Sequence, residues 1–293
     1  MIGLIGGTGL GEALFGEAHA TEQSVDTPFG KPSTPIRIIE WHGVRIATLA
    51  RHGPGHVYPP SHVPYRANIY ALKSLGVTHI LASGAVGSLR EDIHPRELVI
   101  VDQVIDKTFR RPVTFFDEGL AVHAEFAEPF CPELRRILLQ AASASKTKVH
   151  ARGTYVCMEG PAFSTIAESH LHRAWGADLI GMTVMPEAKL AREAEIAYAL
   201  VALATDYDCW KPHDPGVSKQ KLLEEIIGHL KAATANAIEL LRATIGILAS
   251  GPLPASPAHA ALDLAIWSDR AHIPPSVVRR YGALLSRHWK NGS

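Results

Sequence analysis

Two carboxylates stand two residues apart in Thr205-Asp206-Tyr207-Asp208-Cys209-Trp210, directly after the apolar run 197–204. On an extended strand that spacing turns both side chains to one face. Like charges held so close repel, so one of the pair is expected to keep a proton at neutral pH. A protonated carboxyl donates to a ring nitrogen while its ionised neighbour accepts from an exocyclic amine, a pattern that suits an adenine edge. Asp-x-Asp is common in solvated turns, but Tyr207, Cys209 and Trp210 crowd this one.

A second set of residues favours anions. In Ala50-Arg51-His52-Gly53-Pro54-Gly55-His56 a strand breaks into a Gly/Pro loop. The planar fork of Arg51 matches phosphate oxygens, and His52 can donate to the same anion. Gly7-Thr8-Gly9 follows an apolar run and offers backbone N–H groups with the Thr8 hydroxyl. The small residues of Ser83-Gly84-Ala85-Val86-Gly87-Ser88 read as a loop that lets backbone approach a ligand, and Thr183 ends a further apolar run. Alone, the Gly7-Thr8-Gly9 segment reads better as a plain tight turn and the Arg51-His52 loop equally well as a solvated one; together the segments make an anion site. His52 and His56 lack a third ligand at suitable spacing, so no metal site is expected. Glu12 stands where a dinucleotide loop needs its last glycine, and no Gly-Lys-Ser/Thr follows, which excludes both a Rossmann fingerprint and a P-loop. No protein nucleophile with its partners is recognisable, which leaves the bound anion as the expected nucleophile.

Such groups need strand ends to carry them. Strands are expected at 2–5, Ile36–Trp41 and Val44–Ala50 (joined by a turn at His42-Gly43), 78–82, 98–105, Thr154–Met158, 179–182 and 197–204. Helical spacing is found over 65–75, 132–143, 166–175, 186–195 and from 218 to about 247, where Leu222, Ile226, Leu230 and Ala233 form one stripe. Several strands show no polar alternation and so are buried on both faces. The expected class is therefore α/β, a mixed or parallel sheet covered by helices. Open sheets of this kind bind ligands at the carboxyl ends of their strands. A Pro-rich break at 250–257 separates a domain at 1–249 from a linker and helical tail at 250–293, the tail having two short segments around Pro274-Pro275.

Composition narrows the classes. Lys+Arg and Asp+Glu both number 29 in 293 residues, so no basic excess exists to neutralise nucleic-acid or acidic-membrane phosphates. Cys131, Cys157 and Cys209 form no CxxC pair, which argues against a disulfide scaffold or structural zinc. No run of about 20 apolar residues stands out, and the first residues lack a basic leader. A reduced, soluble, cytoplasmic protein is expected.

In order along the chain, Ile5-Gly6-Gly7-Thr8-Gly9, Ala50-Arg51-His52-Gly53, Glu159-Gly160-Pro161, Gly181-Met182-Thr183, Pro186-Glu187 and Thr205-Asp206-Tyr207-Asp208-Cys209-Trp210 resemble the 5′-methylthioadenosine phosphorylase branch of the trimeric purine nucleoside phosphorylases. The resemblance runs from residue 2 to about 248. It implies a phosphorylase-type single α/β domain around a mixed, partly barrel-like sheet, usually as a homotrimer. The implied reaction is phosphorolysis of 5′-methylthioadenosine to adenine and 5-methylthioribose 1-phosphate, with inorganic phosphate as co-substrate and no cofactor, nucleic acid or membrane partner. By position it assigns phosphate to Thr8, Arg51, His52, Ala85 and Thr183, with Gly84 where animal relatives have a hydroxyl residue. Met182 would lie against the ribose. Asp206 and Asp208 would hold the adenine and assist its departure, beside Phe163 and Ser164; their division of roles stays open. His56 and His123 would serve the 5′ end, His123 across a subunit interface. Lys219 and Leu222 fall in the same region, Lys219 replacing an apolar residue of methylthio-selective relatives, and Ala162 replaces an Arg. A broader purine nucleoside phosphorylase, a water-using nucleosidase and a non-catalytic purine-binding protein are the alternatives.

Overall fold

The computed structural model describes residues 1–11, 20–212 and 216–289; Glu12 and the last four residues of the expected tail lie outside them. Among the described residues a mixed sheet has the order β2-β3-β4-β1-β5-β10-β9-β7. Its strands are β1 (Ile2–Gly6), β2 (Thr21–Gln23), β3 (Ile36–Trp41), β4 (Val44–Ala50), β5 (His79–Ser88), β6 (Leu98–Ile100), β7 (Gln103–Lys107), β8 (Val149–His150), β9 (Thr154–Met158), β10 (Leu179–Gly181) and β11 (Ala197–Tyr207). β11 branches from β5 to reach β6, which also pairs with β8. β1 runs parallel between β4 and β5, and every one of its residues is buried, which is why it shows no alternation. His42 and Gly43 both take positive φ, as a two-residue hairpin turn requires.

Two strands differ from expectation. The segment 83–88, read as a loop, continues β5, because Ser83 through Val86 pair in register with Val201 through Ala204 of β11. A bulge at Thr205 then shifts the register, so that Asp206 lies opposite Gly87 and Tyr207 opposite Ser88. The expected strand 98–105 is instead two, β6 and β7. Between them Asp102 turns aside and accepts the Gly153 N–H at 2.8 Å, sending β6 to β11 and β7 to β9.

The α-helices that lie wholly within the described residues are α1 (Tyr65–Ser74), α2 (Pro132–Ala142), α3 (Ile166–Ala174), α4 (Val184–Glu193), α5 (Lys219–Ala249) and α6 (Pro275–Leu285). Thr165 and Glu168 close a capping box that starts α3, and the Ser218 hydroxyl accepts the Lys221 N–H to start α5. By length and apolarity α5 could cross a bilayer, but Ala233, Ala237, Leu240, Leu241, Ile245 and Leu248 spend that face on the core. Among its described residues the tail has short 3-10 helices at Pro257–Ala260 and Arg270–His272 before Pro274, and α6 from Pro275 onward. It joins the core shared by α1 and α4 through Leu262, Ile273, Tyr281 and Leu284. Glu195, just past α4, accepts the Leu262 N–H at 3.1 Å and the Arg287 and His288 side chains, and Arg287 also meets Asp263. Burial works against the Glu195 charge, but these donors hold its pKa below the ordinary carboxylate value.

Candidate active site

A cavity of about 720 Å³ opens where β1, β4, β10 and β11 end and β5 passes beneath. One end gathers the anion donors: Gly7 and Thr8 after β1, Arg51 and His52 after β4, Gly84 and Ala85 within β5, and Thr183 after β10. Arg51 is fully buried. Its Nε and Nη2 donate to the two oxygens of Glu187 at 2.6 and 2.7 Å, and Nη1 donates to the Ser83 carbonyl at 2.8 Å. The fork expected to meet phosphate thus grips Glu187, and the guanidinium's other N–H bonds remain for a ligand. Burial disfavours the Arg51 charge, but Glu187 more than offsets this and holds its pKa above the ordinary value. The Tyr198 hydroxyl donates to Glu187 Oε1 at 2.7 Å, so the pair is further satisfied. Gly7 is required by close approach: a Cβ there would lie 2.8 Å from Arg51 Nη1 and from the Ser83 carbonyl oxygen.

His52 differs from its expected role as a donor. Its Nδ1 lies 2.8 Å from the Tyr58 carbonyl, which can only accept, so the proton sits on Nδ1 and neutral His52 presents a lone pair at Nε2. Burial, then the neighbouring Arg51, push its pKa down to about 4. His56 stacks on it with ring centroids 4.2 Å apart and also lines the cavity.

Arg111 braces the floor. Buried, it donates to the carbonyls of Met182, Met185 and Glu159, each at 2.6 Å, and to the Glu159 carboxylate at 3.2 Å. Glu159 also accepts Ser61 and the Phe109 N–H; burial opposes its charge, yet these partners and Arg111 bring its pKa to about 2. The glutamate of Glu159-Gly160-Pro161 is thereby scaffold. Gly160, at φ 68°, leaves room for Met182, whose sulfur would be 2.5 Å from a Cβ there.

The other end holds the aspartates. Asp206 Oδ1 accepts the Thr205 hydroxyl at 2.6 Å, and the Asp208 N–H donates to the Ser88 carbonyl at 3.2 Å. Both side chains stand over Gly87: a Cβ there would lie 3.5 Å from Asp206 Oδ2 and 3.3 Å from the Asp208 Cβ. Phe163, Ser164 and Met182 complete this part of the wall. Trp210 donates its Nε1–H to the Ser88 carbonyl at 2.8 Å and so fixes the segment after β11.

Three expected residues do not reach the cavity wall. His123 packs on Trp267, ring centroids 4.5 Å apart, and its N–H is held by the Ala265 carbonyl. Lys219 is exposed at the first residue of α5, and Leu222 lies a turn short of the cavity. The helix rise puts Ile226 and Leu230, on the same stripe one and two turns later, into the wall instead. Sequence reasoning also missed Glu187 and Arg111. Glu187 was visible only as a strand-end motif, and Arg111 gave no local signal.

The sequence matches the family described as Phosphorylase superfamily over residues 1–246. It is 46% identical to S-methyl-5′-thioadenosine phosphorylase of Synechocystis sp., covering 98% of this chain and 87% of that relative. It is 48% identical to the protein of the same name from Chloroflexus aurantiacus, covering 98% of each. Among solved structures it resembles a methylthioadenosine phosphorylase sourced from an Antarctic soil metagenomic library (TM-score 0.88, 45% identity, 97% of this chain and 98% of that one). It also resembles methylthioadenosine phosphorylase from Schistosoma mansoni in complex with adenine (TM-score 0.78, 39% identity, 85% and 92%).

Proposed function

The chain belongs to the phosphorylase superfamily, and on that footing we propose that it cleaves 5′-methylthioadenosine with inorganic phosphate, as a pentosyltransferase releasing adenine and 5-methylthioribose 1-phosphate. The observation that carries this reading is one cavity with Arg51, Thr8 and Thr183 at one end and Asp206 and Asp208 at the other. A nucleoside fits between them with its sugar facing the anion and its base facing the acids. As the bond from C1′ to N9 breaks, its electrons go to the purine and positive charge grows on the ribose. A phosphate beside it stabilises that charge and then donates an oxygen lone pair to C1′. Asp206, supported by Thr205, supplies the proton that the departing base takes at N7, while Asp208 accepts from the 6-amino group. His52 Nε2 accepts the hydroxyl of monohydrogen phosphate, leaving the unprotonated oxygens for the arginine and the sugar.

The 5′ group meets Val57, Ile226 and Leu230, an apolar surface suited to methylthio, while Lys219 lies outside it. Three further expectations belong to this proposal: assembly as a homotrimer in which His123 serves a neighbouring site, residence in the cytoplasm, and phosphate as the sole co-reactant, without metal or organic cofactor. Adenine release from methylthioadenosine, followed with and without phosphate, tests the reaction. Release without phosphate makes the protein a nucleosidase, and binding without turnover makes it a purine-binding protein. Sedimentation tests the trimer, and a monomer would remove the role given to His123.

A further inference from the structure

Polar atoms on α3, which is not part of the cavity wall, and on Asp208 have no hydrogen-bond partner among the described residues. His172 is 1% exposed and Asp208 8% exposed. His172 Nδ1, Arg173 Nη1 and Asp208 Oδ2 are all buried and have no hydrogen-bond partner among the described residues. α3 packs against the segment that follows β11. The Arg173 guanidinium lies 3.5 Å above the Trp210 ring, two residues after Asp208, and Asp208 acts electrostatically on His172 from the end of β11.

The tautomer of His172 follows from its other nitrogen. Nε2 lies 3.0 Å from Lys107 Nζ on β7. A lysine ammonium offers only donors, so Nε2 must accept and the imidazole proton must sit on Nδ1. The same ammonium stands over the Trp175 ring, 5.3 Å from its centroid. His172 Nδ1–H is therefore a buried donor and Asp208 Oδ2 a buried acceptor. A water between them can accept from the imidazole and donate to the carboxylate, as buried waters do between otherwise unsatisfied groups.

We propose that His172 is a positioning residue for base recognition: its Nδ1–H, fixed by Lys107, supports the rear oxygen of Asp208 through one buried water and keeps that carboxylate an acceptor for a 6-amino group. The inference rests on Asp208 reading the base edge, as in the function proposed above. It fits the division of labour proposed above, in which Asp208 accepts from the 6-amino group and Asp206 delivers the proton. The charged groups acting on His172 are Lys107 from β7, Glu168 from the first turn of α3, and Asp208. Burial and then Lys107 push its pKa below the ordinary histidine value, against the smaller pull of the two carboxylates, in keeping with a neutral ring.

The test compares phosphorolysis of methylthioadenosine and methylthioinosine as a function of pH in the wild type, His172→Phe and His172→Asn. Asn keeps a donor near the place of Nδ1; Phe removes it. The expected result is that His172→Phe lowers the preference for the 6-amino substrate by roughly 3- to 30-fold. The acid limb of its kcat profile should also move to higher pH by about half a unit or more. His172→Asn should recover most of both. Equal losses in the two variants, with preference and pH profile unchanged, would reduce His172 to packing and overturn the proposal. A two-bond nitrogen–proton spectrum of the wild-type imidazoles is a second measurement that needs no turnover. An Nδ1–H signature at His172 supports the proposal and an Nε2–H signature overturns it, whichever way the activity assay falls. Absence of phosphate-dependent adenine release in the wild type would refute the functional reading alone.

Discussion

Asp206 lines the cavity and Glu187 is buried behind Arg51, and their surroundings give these two acids different work. Asp206 faces the ligand space from the bulge after β11 and leans on Thr205. Asp206→Asn keeps the shape but removes the transferable proton and offers an amide that serves a 6-carbonyl. Turnover of methylthioadenosine should fall by about two orders of magnitude or more, with methylthioinosine spared, read from kcat/KM on the two substrates. Glu187 is instead held beneath the anion, its oxygens taken by Arg51 and Tyr198. Glu187→Gln leaves a buried guanidinium without its counter-charge, a change that ordinarily costs about 3–5 kcal/mol of stability. The KM for phosphate should rise roughly tenfold or more with the nucleoside KM less affected, and Tm should drop. Of these two residues the sequence announced only Asp206, because its partner carboxylate is two positions away. The Arg51–Glu187 contact joins residues 136 apart, which no local pattern reveals.

Short buried strands such as β1 were legible because they lack alternation and end in glycine. The continuation of β5 through Ser83–Ser88 was not, since small residues look like a loop until β11 arrives to pair with them. The same blindness hid which turn of α5 faces the ligand: the stripe was readable, the angle at which the helix meets the sheet was not. That geometry gives a prediction for the helix. Leu230→Ala and Ile226→Ala should raise the KM for methylthioadenosine by roughly 3- to 30-fold while changing the KM for adenosine less, because each removes apolar contact with the 5′ group. Lys219→Leu, outside the wall, should change neither; a large gain in methylthio preference would place Lys219 in the pocket after all.

The fold as a whole carries a second titrating acid, remote from turnover. Glu193 on α4 is 8% exposed, and burial pushes its pKa up to about 7 although the Phe115 N–H and the Thr114 hydroxyl donate to it. Between its ordinary 4.5 and about 7 the folded protein keeps a proton that the unfolded chain has lost. Its contribution to stability is therefore complete below that window and is lost as pH rises through it. Glu193→Gln should flatten this part of the Tm–pH curve, leaving the variant more stable than wild type by a few degrees in mildly alkaline buffer; parallel curves would refute the assignment. The mixed α/β class was readable from the buried strands, whereas the docking of 250–289 was not, because Arg287 finds Glu195 across 92 residues. That docking has a mechanical consequence. α4 is moored at its head by the Glu187–Arg51 couple and at its foot by the clasp on Glu195, so it behaves as a beam between the residues that follow α6 and the anion cradle. Pulling out the rear mooring would let the front one sag, and the grip on phosphate would slacken without the loss of a single ligand.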